Sequence, residues 1–338
     1  MDKYLVTVGR FRQYVNYVTG TGGAPPANGS GIHTHLNGGL GLANSGSAGT
    51  YETGWDATDW NTYIATGAGA ASTWDTNLSC EAPYDTWTST AGSQETLPIN
   101  CVDWYEAYAF CIWDGGFLPS EAEWEYVAAG GGQQREYPWG STDPGTANQY
   151  AIYGDYYTAN PTDIAPVGTA TLGAGYWGQL DMAGEVWEWN LDWYGPYVDP
   201  CANCAYLATA SNRVIRGGNF NNNAANLLAP NRNNDNPTDH NNNIGFRCAK
   251  TVVLPARQDA QGRAASTDSA SAAIHSPPRS SVGSRVPRDP EQCPRRAPRV
   301  PRFPSRLYPF AGTRPGRDYS RTKASLASSA SQSVRVCP

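Results

Sequence analysis

The sequence predicts a loop-rich α+β domain over residues 1–250, followed by a disordered basic tail over residues 251–338. Three observations predict it. Residues 1–250 carry 9 Lys and Arg against 25 Asp and Glu, a net of −16, whereas residues 251–338 carry 15 against 5, a net of +10. All 12 Trp and 18 of the 20 Tyr lie in the acidic part with most of the Gly, which is the composition of an aromatic core threaded by long loops rather than of a helix bundle. The periodic stretches are short and are separated by runs of Gly, Ala, Ser, Thr and Asn.

Taken in order, Tyr4–Val8 reads as a first strand. A helix follows from about Gly9 to Val18, because Phe11, Val15 and Val18 recur at near-helical spacing. Residues 19–98 are polar and small with scattered Trp, far longer than an ordinary loop, and must pack on something. Val102–Trp113 reads as a helix with Val102, Tyr105, Ala109 and Ile112 on one stripe. Ser120, with Glu123 three residues on and Pro119 before it, forms a capping box that starts the next helix and turns Trp124 and Val127 to the core. Val186 to Asn190 alternates, so Trp187 and Trp189 share one face and Val186 and Glu188 the other. Arg213–Arg216 and Ile244–Val253 read as further strands. Beyond Thr251 the chain turns to Arg, Pro, Ser and Ala, holds 12 of the 25 prolines and loses all periodicity. That predicts disorder, as a solvated appendage or an out-of-frame stretch in preference to a nucleic-acid or membrane-surface tail.

These features exclude several function classes. The acidic body argues against nucleic acid as a partner of the domain. No apolar run reaches membrane-spanning length. No nucleophile elbow, phosphate-binding loop or dinucleotide fingerprint is present. His33-Thr34-His35 has no third metal ligand nearby and reads as a surface pair. Six of the eight cysteines (Cys80, Cys101, Cys111, Cys201, Cys204 and Cys248) lie in the body, an even number that suggests bridges and an oxidising compartment. Cys201-x-x-Cys204 could be a redox pair or half a zinc site, but with no completing ligands a local loop bridge is preferred.

Three motifs fall in register: Leu118-Pro119-Ser120-Glu121-Ala122-Glu123-Trp124-Glu125-Tyr126, then Asp181-Met182-Ala183-Gly184-Glu185-Val186-Trp187-Glu188-Trp189, then Arg216-Gly217-Gly218 running to Gly245-Phe246-Arg247. In that order they resemble the formylglycine-generating-enzyme (sulfatase-modifying factor) domain family, whose fold is C-type-lectin-like, over roughly residues 1–250. The resemblance implies a disulfide between Cys111 and Cys248. It also implies an extracytoplasmic setting (periplasmic, secreted or cell-surface). Relatives carry an upstream export segment, whereas this chain opens directly on the first strand, so a late start is expected.

The resemblance further implies structural calcium at Asp181-x-x-Gly184-x-Val186-x-Glu188. Asp181 and Glu188 would give carboxylate oxygens and Gly184 and Val186 backbone carbonyls, a donor set suited to a hard ion. The alternative leaves Glu188 as a buried carboxylate paired with an arginine. A second calcium site starting near Asn148 does not align cleanly with Asp163. Relatives that make formylglycine hold copper(I) between two cysteines four and nine residues after the second Gly of the Arg/Lys-Gly-Gly turn. Counted from Gly218 these positions are Asn222 and Leu227, and neither supplies the soft thiolate that copper(I) needs. No copper is therefore expected. Phe117 stands where the family's Leu-Pro-Thr-Glu signature is usually preceded by arginine, which removes a charged partner for nearby carboxylates.

Asn fills 12 of the 25 positions from Asn219 to Asn243. Such a run is either a solvated, turn-rich loop or a ligand-facing surface, and it resembles the variable segment of retroelement-diversified proteins. On the second reading the ligand residues are Asn219, Asn221, Asn222, Asn223, Asn226, Arg232, Asn234, Asp235 and His240, while Arg232 and Arg247 can also brace the scaffold. Two functions compete. One is a non-catalytic, calcium-stabilised binding module for a protein or glycan. The other is a sulfatase-modifying oxidoreductase, or related non-haem metal oxygenase, with a different active centre.

Overall fold

The structure is a computed structural model that describes residues 1–159 and 162–251. The tail expected over residues 251–338 lies, but for its first residue, outside the described residues, as do Cys293 and Cys337.

Helix α1 (Val8–Thr19) begins where the Thr7 hydroxyl accepts from the Arg10 amide at 3.3 Å. That cap ends the extended segment early, so the strand expected over Tyr4–Val8 is reduced to an isolated bridge between Thr7 and Pro98. The segment still bonds on both sides: the Val6 amide donates to Phe246 O at 2.9 Å and Val6 O accepts from the Ile99 amide at 2.9 Å. Phe11, Tyr14, Val15 and Val18 form the buried face of α1.

The long polar stretch packs as expected on the core. It supplies the two-residue strand β1 (Ala43–Asn44), helix α2 (Ala71–Asn77), and Leu42, Trp55, Ile64, Trp74 and Trp87 to the main apolar cluster. Indole N–H groups tie these loops to backbone carbonyls. Trp74 donates to Ala65 O at 2.9 Å, Trp104 to Asn190 O at 2.8 Å and Trp189 to Val102 O at 3.0 Å. A large apolar ring with one satisfied polar handle suits a core bounded by irregular backbone.

Helix α3 (Trp104–Trp113) starts two residues later than its apolar stripe suggests, because Asp103 and Glu106 make a reciprocal capping box at 2.7 and 3.1 Å. It is buried from Trp104 through Cys111, and a helix enclosed on all sides belongs at the centre of the domain. Helix α4 (Glu121–Ala128) has the Ser120–Glu123 box read from the sequence.

A four-stranded sheet of order β5-β4-β2-β6 carries the second half: β2 (Trp187–Trp193), β4 (Arg213–Arg216), β5 (Arg232–Asp235) and β6 (Ile244–Gly245). β4 runs antiparallel to β2 and β5, with Glu188 opposite Arg216 and Arg216 opposite Arg232, while β6 is parallel to β2. The register of β2 slips between Trp189 and Trp193. β3 (Cys204–Ala205) pairs with β1. Alternation along β2 sends Trp187 and Trp189 to the main core and Val186 to a second cluster with Ile152, Ile164 and Phe220. β6 is shorter than expected. After Gly245 the backbone bonds pass instead to the N-terminal segment and to Phe117, which exchanges two hydrogen bonds with Ala249 at 2.9 and 3.0 Å.

Cys111 at the end of α3 is bonded to Cys248, S–S 2.01 Å, Cys80 is bonded to Cys101, and Cys201 to Cys204 closes the local loop. No helix among the described residues is long and apolar enough to cross a membrane.

Candidate functional site

The Asp181–Glu188 loop curls through three left-handed residues, Asp181, Gly184 and Glu185, at φ 58°, 84° and 62°. Gly184 is required there, since a Cβ would meet Ile152 O at 2.3 Å. Glu188 is buried and accepts three hydrogen bonds. Arg247 donates from Nε at 2.6 Å and from Nη2 at 2.9 Å, and the Trp124 indole donates at 3.0 Å. Arg247 also reaches Asp181 O at 2.8 Å and Leu180 O at 3.1 Å. The guanidinium thus pairs with Glu188, the arrangement that stood as the alternative to calcium at this residue.

The free oxygens of this loop are elsewhere. Asp181 Oδ2 accepts from the Gly168 amide at 2.8 Å and Glu185 Oε2 from the Ala165 amide at 3.1 Å, while Asp181 Oδ1 and Glu185 Oε1 are buried with no hydrogen-bond partner. Burial raises Asp181 to about 6 against the pull of Arg247, and burial with the Asp181 charge pushes Glu185 well above the usual carboxylate range. Two buried carboxylates thus each keep one anchored and one bare oxygen in this loop. The spacing motif skipped Glu185. Its signal was a second carboxylate in a glycine-turned loop.

At the positions of the family's copper thiolates the structure places a polar turn and a piece of core. Asn222 donates its amide N–H to Asn219 O at 3.2 Å, and Asn223 Oδ1 caps the short turn before Leu227 by accepting from Ala225 at 3.0 Å. Leu227 is buried with Ala151, Tyr153 and Ala183. Every cysteine among the described residues is in a disulfide. Amide oxygen and aliphatic carbon do not fit monovalent copper.

The Asn-rich segment does not form one face. Asn219 is buried, because the Gly217-Gly218 turn carries it inward, and that removes it from any ligand surface. Asn221 and Asn223 are exposed and Asn226 is half-buried. On the edge strand, Asn234 accepts from Asn212 at 2.6 Å and Asp235 from Asn241 at 2.8 Å. His240 is half-buried with Nε2 3.4 Å from Glu106, whose charge raises its pKa against the effect of burial. Arg232 lines a cavity of about 310 Å³. Its guanidinium grips Glu121 with two bonds at 2.8 and 2.6 Å, donates to Gly195 O at 2.9 Å, and lies between the rings of Tyr194 and Tyr197. Arg216, fully buried, pairs with Glu125 on the same wall.

Exposed aromatic rings stand around that cavity. Tyr126 and Tyr197, 60% and 66% exposed, lie in its wall. Tyr126 stacks on Trp177 at 5.3 Å, and Trp177 meets Tyr176 edge-on at 5.0 Å. Sequence reading missed this group because its members come from α4 and from two separate loops.

His33 is a correction. It is wholly buried, with Nδ1 2.9 Å from Glu52 and Nε2 3.1 Å from Glu123, and its ring lies 3.8 Å from that of Phe117. Burial alone would lower its pKa, but Glu123 and Glu52 outweigh it and raise it to about 9. The cation that position 117 lacks is supplied from the glycine-rich loop.

The chain is 34% identical to the formylglycine-generating enzyme of Mus musculus over 163 residues, covering 45% of this chain and 44% of the enzyme. It is 33% identical to the inactive C-alpha-formylglycine-generating enzyme 2 of Mus musculus over 168 residues, covering 47% of this chain and 51% of that protein. It thus spans about half the length of the curated relatives it matches. Among solved structures, PvdO from Pseudomonas aeruginosa aligns over 72% of this chain and 77% of its own with a TM-score of 0.42 and 19% identity. The model of the sulfatase-modifying factor enzyme 1-like domain matches residues 1–252, and the chain belongs to that family.

Proposed function

We propose that this protein is a non-catalytic, extracytoplasmic binding module of its family, holding a protein or glycan ligand on the aromatic rim of the Arg232 cavity. The observation that carries the reading is the exposure of Tyr126 and Tyr197 in the wall of a cavity, with Trp177 and Tyr176 stacked on from Tyr126, where Arg232 is paired with Glu121. Large rings left bare beside a cavity are the composition of a recognition surface. The replacement of both copper thiolates by Asn222 and Leu227, the latter built into the core, supports binding over oxidation. The three disulfides support an oxidising compartment. A structural calcium ion on Asp181 and Glu185 would supply positive charge to two buried carboxylates and stiffen the loop under the sheet.

The test has two arms. The purified protein is screened against glycans and candidate protein ligands, and the best binder is measured again with Tyr126→Ala and Tyr197→Ala. Loss of binding at unchanged melting temperature is the expected result. In parallel, the protein is supplied with copper, oxygen and a cysteine-containing peptide. Conversion of that cysteine to formylglycine overturns the reading.

A further inference from the structure

Among the described residues, three arginines are almost wholly buried: Arg213, Arg216 and Arg247. Arg247 is paired with Glu188, and Arg216 with Glu121 and Glu125. Arg213 makes no direct ion pair among the described residues, and the nearby Asp192 carboxylate favours its charge without bonding to it. It is 3% exposed, and its guanidinium is clamped between the rings of Trp104 and Trp193, 3.6 Å from each centroid. Nη1 donates to Leu191 O at 2.7 Å, while Nε is buried without a partner. Burial pushes the guanidinium down to about 9. A buried cation with spare N–H groups is costly until an acceptor completes it.

Arg213 lies in the wall of an open cavity of about 610 Å³, which shares no lining residue with the Arg232 cavity. Trp60, Tyr63, Tyr105 and Tyr108 form much of the remaining wall. Tyr63 stacks face to face on Tyr105 at 3.9 Å, and Trp60 stands edge-on to Trp104 at 5.5 Å. The carboxylates on this wall are engaged or lie outward. Glu52 accepts from His33 and from the Leu42 amide, Asp56 accepts from Thr58 at 2.9 Å within its own turn, and Asp59 is exposed. Their charge opposes a doubly charged anion beside Arg213.

We propose that this cavity is a separate ligand site for a small ring-bearing monocarboxylate, its carboxylate on the Arg213 guanidinium and its ring against the Trp60–Tyr63–Tyr105 wall. Guanidinium recognises carboxylate through paired N–H donors, and flat aromatic walls take a planar body at little entropic cost. The proposal does not depend on the binding role of the Arg232 rim.

The test titrates phenylacetate into the disulfide-intact protein by calorimetry, with 2-phenylethanol and phenyl phosphate as the neutral and dianionic comparisons. Phenylacetate should saturate a single site, and both comparisons should bind at least roughly tenfold more weakly. Tyr63→Ala, at the rim, should weaken phenylacetate several-fold without moving the melting temperature. Arg213→Gln should abolish binding; if that variant does not fold, the ligand series and Tyr63→Ala decide alone. No saturable heat, equal binding of the alcohol, or unchanged affinity in Tyr63→Ala overturns the proposal. Because the two cavities share no lining residue, Tyr126→Ala and Tyr197→Ala should leave phenylacetate binding intact.

Discussion

His33 Nε2 lies 3.1 Å from Glu123 Oε2, joining a glycine-rich loop to the first turn of α4. The imidazole is raised to about 9 in the fold, above its unfolded value of ~6.5. Its contribution to stability is therefore complete below about pH 6.5 and is lost as the pH rises through about 9. The loss should be on the order of 2–3 kcal/mol, and His33→Gln should flatten the fall in melting temperature across this range. His240, raised by Glu106, shifts in the same direction and should leave a residual slope that His240→Gln removes. A wild-type melting temperature that does not fall over this window refutes the buried charge.

The Glu188–Arg247 pair is buried at both ends. Removing one partner strands the other, so Glu188→Gln or Arg247→Met should each cost about 3–5 kcal/mol. The double variant should cost less than the two changes added together, as read from urea unfolding of all four proteins. Additive losses would mean the two groups do not depend on one another.

Calcium should raise the melting temperature, and a chelator should reverse the rise, with stabilisation of about 2.7 kcal/mol at a hundredfold excess over Kd. Glu185→Gln should abolish this response, since Glu185 Oε1 and Asp181 Oδ1 are the loop's bare carboxylate oxygens. A full calcium response in Glu185→Gln places the ion elsewhere.

Cys111→Ser should cost roughly 2–4 kcal/mol in oxidising buffer and little under reducing conditions. The bridge to Cys248 spans 137 residues, so it ties the central helix to the segment after β6 rather than tightening a local turn. Equal stability of wild type and variant under oxidising conditions would show that it contributes nothing.

Features set by neighbouring residues were legible in the chain. Ser120 and Glu123 are one helical turn apart, and their box is formed. Trp187 and Trp189 alternate with Val186, and the sheet sends them to different clusters. The family resemblance carried what periodicity could not, including Cys111 with Cys248. Hydrogen bonding and side-chain direction over a few residues follow from backbone geometry alone, which is why such signals survive in the sequence.

The sites were decided by tertiary structure. His33 reads as a surface residue because its partners Glu52 and Glu123 are 19 and 90 positions away. Glu188 gains its pairing with Arg247 from the segment after β6, 59 positions away. Asn219 and Asn221 are the same residue type two positions apart, yet one is buried and the other exposed. Arg213 gains its aromatic clamp from α3 and from the end of β2. In a domain built from loops, charge and burial are set by contacts between distant segments, and no local pattern encodes which segments will meet.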